Sequence, residues 1–64
     1  MENLVKNKLF LVAGAGGLLG SKLVSALLSQ NAKVIAADIN IDGMVERLKK
    51  IDIDINNLIL FFLS

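Results

Sequence analysis

The chain has 64 residues, seven basic and six acidic, with a formal net charge of +1, and 55% of it is hydrophobic. So short a chain holds at most one small domain, and its near-neutral balance gives no electrostatic case for nucleic acid or an anionic membrane. It has no Cys and no His, which excludes disulfides, thiolate metal sites and the commonest general base.

Residues 1–7 are polar and mixed and read as a frayed lead-in. Lys6 and Lys8 before the apolar stretch Leu9 to Gly20 imitate the charged and apolar regions of a signal peptide. Four glycines between Gly14 and Gly20 count against that reading, as does the patterned sequence after Gly20. Lys8 to Ala13 reads as a strand, apolar on both faces as in a buried parallel sheet. Gly14 to Gly20 is a glycine turn. Leu18 to Gln30 reads as a helix, with Leu19, Leu23, Ala26 and Leu27 as its core stripe and Ser21, Lys22, Ser25 and Ser29 mostly off it. Asn31-Ala32 ends this helix, Asn being tolerable in the left-handed region.

Lys33 to Ala37 reads as a second strand, ended by Asp38. Asn40 or Asp42 can cap a second helix running to about Lys50, whose apolar side is Met44, Val45, Leu48 and Ile51. Glu46 and Lys50 stand in the favourable i,i+4 order. Ile51 to Ile55 alternates apolar and acidic residues; a strand is one reading, an extended link the preferred one. Asn57 to Leu63 reads as a third buried strand. The longest apolar run near the C-terminus, Leu58 to Leu63, is far short of the ~20 residues of a membrane span. The expected fold class is therefore α/β: a single β-α-β-α-β unit over residues 1–64, forming the N-terminal half of a Rossmann-type parallel sheet with strand order 3-2-1.

The strand, glycine turn, helix order is the arrangement that binds a dinucleotide pyrophosphate. Glycine lets bare backbone approach the phosphates, and the helix after the turn offers its unpaired N–H groups and positive dipole end. Gly14, Gly17 and Gly20 form G-x-x-G-x-x-G. G-x-G-x-x-G fails at Leu19, G-x-G-x-G fails at Leu18, and Gly20-Ser21-Lys22 has the wrong order for a Walker A loop. Asp38 lies 18 residues beyond Gly20, near the ~20-residue distance at which an acid binds the ribose hydroxyls. A carboxylate there repels a 2′-phosphate, and no cation stands at Ala15, Gly16 or Ile39 to attract one, so NAD is preferred over NADP. The competing readings are a glycine turn without a ligand and an Asp38 that only caps the next helix.

Leu11-Val12-Ala13-Gly14-Ala15-Gly16-Gly17-Leu18-Leu19-Gly20-Ser21, with Asp38 ending the second strand, resembles the N-terminus of a short-chain dehydrogenase/reductase. The glycine spacing is similar to that of the extended branch, the NAD-dependent epimerases and dehydratases of nucleotide sugars. The other large branch, with G-x-x-x-G-x-G, would need Gly at Leu18. Ala13 replaces the usual Thr or Ser before the first glycine.

The resemblance implies cofactor contacts from Gly14, Gly17, Gly20 and Asp38, and from the backbone around Leu18 and Leu19. It also implies catalysis by a Tyr-x-x-x-Lys pair, which a chain without Tyr does not carry, and an Asp after the third strand, which is missing. The expectation is thus a cytoplasmic, NAD-binding amino-terminal part of an oxidoreductase or epimerase, with no catalytic and no metal residues of its own. The alternative is a non-catalytic interaction module that self-associates through the exposed edge of its sheet.

Overall fold

The computed structural model describes residues 4–63, as an α/β unit. Its elements in chain order are β1 (Leu9–Ala13), α1 (Leu18–Ser29), β2 (Lys33–Asp38), α2 (Ile41–Lys50), a single 3-10 turn (Ile55–Asn57) and β3 (Leu58–Phe62). The three strands are all parallel, and β2 lies between β1 and β3. The register sets Leu11 beside Ile35 and Ile35 beside Ile59, so side chains of one parity share a face across all three strands.

The core lies on one face only. Val12, Val34 and Ala36 point to it and meet Val24 of α1 and Met44 and Leu48 of α2. Here α1 packs on β1 and β2, α2 packs on β2 and β3, and the helices touch each other. The opposite face carries no element among the described residues. Leu9, Leu11, Ile59 and Phe61 are each more than half exposed there. The strands are apolar on both sides, as a buried parallel sheet requires, yet the described residues cover only one of them. Two successive crossovers that advance in the same direction across a sheet return their helices to the same side.

Each helix ends in the same device. The Asn31 and Ala32 amides donate to the carbonyls of Leu28 and Leu27, with Asn31 at φ 63°. The Asp52 and Ile53 amides donate to Lys49 and Leu48, with Asp52 at φ 62°. Both are left-handed caps that satisfy the last carbonyls and turn the chain into the next extended segment. Asn40 caps the start of α2, its Oδ1 accepting from the Gly43 amide at 2.9 Å. Of the two expected capping positions, it is Asn40 that is used.

On the apolar side of α2, Met44 and Leu48 are buried as expected, but Ile51 is exposed and Ile53 joins the core instead. Three further expectations need correction. The core stripe of α1 is not Leu19, Leu23, Ala26 and Leu27. Leu19 and Leu23 are exposed, Ala26 is exposed, and the buried positions are Ser21 and Val24, with Leu27 and Leu28 packed beside them. Leucine occurs all round this helix, so periodicity alone does not fix its rotation. Gly20 fixes it instead, because that side of the helix must lie against the Gly14 carbonyl. Ser21 is tolerated in the core because its hydroxyl donates to the Leu18 carbonyl at 3.1 Å. Second, the link after α2 is not simply extended. Asp54 Oδ1 accepts from the Asn56 amide at 3.0 Å and organises a 3-10 turn before β3. Third, residues 4–7 are not a loose lead-in. The Lys8 amide donates to Val5, and the Asn7 amide donates to Asn31 at 2.9 Å, which ties this turn to the end of α1. Residues 1–3 of that lead-in lie outside the described residues.

Candidate functional site

The carboxyl ends of β1 and β2 lie side by side, because Ala13 pairs with Ala37. The segments leaving these two strand ends therefore meet at one edge of the sheet. After β1 comes the glycine loop. Gly14 has φ +71°, a conformation that L side chains rarely adopt, and its carbonyl accepts from the Gly17 amide at 2.9 Å. The Ala15 amide donates to Ala37 at 3.0 Å, which pins the loop to the end of β2. A Cβ on Gly20 would overlap the Gly14 carbonyl, so the third glycine is what lets α1 start this close to the loop.

Gly17 is the N-cap of α1, and no side chain caps that terminus. The first turn contains no acidic residue. Helix geometry leaves the amides of Leu18, Leu19 and Gly20 without intrahelical acceptors. These donors, with the positive end of the helix dipole, form a ready acceptor of negative charge. The side chains of Leu18 and Leu19 are 61% and 81% exposed, so only their backbone faces this role.

Asp38 ends β2 and reaches back to the loop. Its Oδ2 accepts from the Gly16 amide at 2.9 Å, and its Oδ1 accepts from the Asn40 amide at 3.0 Å. The Asn40 and Gly16 amides hold the Asp38 carboxyl below the ordinary aspartate pKa, with a smaller push from the Ile39 amide and against a desolvation that raises it. An ionised carboxylate has about four lone-pair sites, so about two remain for further donors.

A cleft of about 380 Å³ opens beside this carboxylate. Gly16, Gly17 and Asp38 form one side, and Asn40, Gly43, Met44 and Arg47 of the α2 region form the other. Comparison with protein-family models, with curated proteins and with solved structures found no match. The reading of the site therefore stands on its chemistry alone.

Of the six expected cofactor residues, Gly17 and Asp38 line the cleft. Gly14 and Gly20 shape the loop from behind it, and Leu18 and Leu19 contribute backbone at the start of α1. Sequence reasoning missed Gly16 and Arg47. Gly16 falls outside the G-x-x-G-x-x-G spacing, yet a Cβ there would stand 2.8 Å from Met44 Cα and 3.0 Å from Asp38 Oδ2. It is the close contact between the loop and α2. In the sequence Arg47 is only one more basic residue near a helix end; its i+3 and i+4 relation to Met44 and Gly43 is the available signal. It places a cation in the cleft although none stands at Ala15, Gly16 or Ile39. Among the described residues, no group of three or more His, Cys, Asp or Glu is placed to hold a metal ion, and no helix is long and apolar enough to cross a membrane.

Proposed function

We propose that this chain is the NAD-binding part of an oxidoreductase or epimerase resembling the extended short-chain dehydrogenases, with its sheet as the Rossmann half of order 3-2-1. The observation that carries this reading is the position of Asp38. An acceptor-only carboxylate, fixed by two amides, lies next to a glycine loop and an uncapped helix N-terminus. A dinucleotide needs both environments within one ligand's reach. Its vicinal ribose hydroxyls are donors for the open positions of Asp38. Its diphosphate is an anion for the amides of Leu18, Leu19 and Gly20.

NAD supplies a hydride acceptor when bound. The chain's own residues bind and orient the adenosine diphosphate end. With no Tyr and no His in the chain, no proton transfer is assigned to it, and the catalytic portion belongs to residues outside this sequence. NAD is favoured over NADP because the Asp38 carboxylate, held below its ordinary pKa by the Asn40 and Gly16 amides, would repel a 2′-phosphate bound in this cleft.

Titration calorimetry with NAD and ADP-ribose tests this reading. Weak, saturable binding of similar strength for both is expected, because the reading assigns binding to the adenosine diphosphate end that the two ligands share. A strong preference for NAD over ADP-ribose would contradict the assignment of the cleft to the adenosine end.

A further inference from the structure

Asn40 caps α2 with only half of its side chain. Its Oδ1 accepts from the Gly43 amide at 2.9 Å. Of the two polar atoms of a carboxamide only the oxygen accepts, so this bond fixes which way the group is turned. The Nδ2 atom carries two N–H donors. Neither meets an acceptor among the described residues. Space is kept for this atom, because a Cβ on Gly43 would stand 2.6 Å from it. Glycine is otherwise a poor residue inside a helix. Asp and Ser cap a helix about as well as Asn, so capping alone does not require a carboxamide.

The same residue is tied to the carboxylate of the cleft. The Asn40 backbone amide donates to Asp38 Oδ1 at 3.0 Å, and both residues line the cleft. A group that only accepts and a group that donates therefore stand side by side, held together by a backbone bond. Such a pair distinguishes substituents by their hydrogen bonding. A hydroxyl donates to the carboxylate and accepts from Nδ2. A phosphate oxygen only accepts, and it meets the charge of Asp38. A hydrogen atom answers neither group and leaves both without their partner.

Resting on the dinucleotide reading above, we infer that Asn40 is a specificity residue of this cleft. Its Nδ2 donates to the 2′-hydroxyl oxygen of the adenosine ribose, and Asp38 accepts from the same hydroxyl. The cleft thereby selects ribonucleotides over their 2′-deoxy counterparts.

Titration calorimetry with ADP and with 2′-deoxy-ADP tests this on the wild type, Asn40→Ser and Asn40→Thr, with urea midpoints as the record of folding. Serine and threonine keep a capping oxygen and remove the carboxamide. The wild type is expected to prefer ADP by about tenfold or more, because a site built to bond a hydroxyl rejects the analogue that lacks it. In Asn40→Ser the midpoint is expected to stay near that of the wild type. ADP should weaken, 2′-deoxy-ADP should change little, and the preference should shrink. Asn40→Thr should behave alike, and it decides the matter if the serine variant is unstable. A folded variant that keeps the full preference for ADP overturns the inference and leaves Asn40 as a cap alone. A lowered midpoint with both ligands weakened equally does the same. A wild type that binds both ligands equally well also overturns it, while the dinucleotide reading stands. A folded wild type that binds neither removes both.

Discussion

The Gly16 amide donates to Asp38 Oδ2 at 2.9 Å, across 22 residues of chain. This bond joins the two halves of the proposed cofactor site before any ligand arrives. It requires Gly16 to have no side chain, because a Cβ would press on both Asp38 and Met44.

Gly16→Ala should therefore lower stability even without ligand. The backbone of Met44, at 2.8 Å from the added Cβ, cannot swing aside as a flexible side chain could. An overpacking cost of about 1–3 kcal/mol is expected, read as a lower urea midpoint. An unchanged midpoint would show that the loop and α2 are not in firm contact.

Gly14 and Gly20 should respond differently from each other. At Gly14 a Cβ meets nothing within 4 Å, so the cost of Gly14→Ala is the left-handed backbone alone, about 1–2 kcal/mol. At Gly20 the Cβ overlaps the Gly14 carbonyl, and Gly20→Ala must shift α1. Gly20→Ala should be the more destabilising of the two. Equal midpoints in parallel denaturation would contradict the close approach.

Asp38 should also leave a signature in acid. Its pKa in the folded chain is lowered, so the stability it contributes is present above the ordinary aspartate pKa of about 4 and is lost as pH falls through the folded value. Asp38→Asn should flatten this acid limb of a stability–pH profile. An identical limb in the variant would show that other carboxylates produce it.

Cofactor discrimination should depend on two residues. Asp38→Ala is expected to improve NADP relative to NAD, since the repelling carboxylate is gone and Arg47 lines the same cleft. Adding Arg47→Ala should remove that gain. Relative affinities from competition titration decide it, with a change of about tenfold, or ~1.4 kcal/mol, as the expected scale. An NADP gain undiminished in the double variant would take Arg47 out of the 2′-phosphate's surroundings.

Much of the architecture is legible in the sequence because local signals agree with one another. The strands end where Gly14 and Asp38 stand, Asn31 supplies the left-handed cap, and of the four apolar residues expected on the inner side of α2, Met44 and Leu48 are buried while Ile51 is exposed. The rotation of α1 is not legible, because leucines surround it and a steric contact made by Gly20 decides which side faces the sheet. For the site, the glycine spacing and Asp38 are visible, while Gly16 and Arg47 become functional candidates only through a tertiary approach between the loop and α2. The open sheet face is hidden for a related reason. Hydropathy reports that a strand is apolar on both sides, not how many helices the chain has to cover them.

The proposed function rests on the loop and Asp38 together holding the adenosine diphosphate end of a dinucleotide. Calorimetric titration of the folded chain with ADP-ribose, beside Asp38→Ala, addresses this without involving the nicotinamide. Weak saturable binding to the wild type is expected, with a clear loss of affinity in the variant. A folded wild type that gives no heat and gains no thermal protection from ADP-ribose would contradict it.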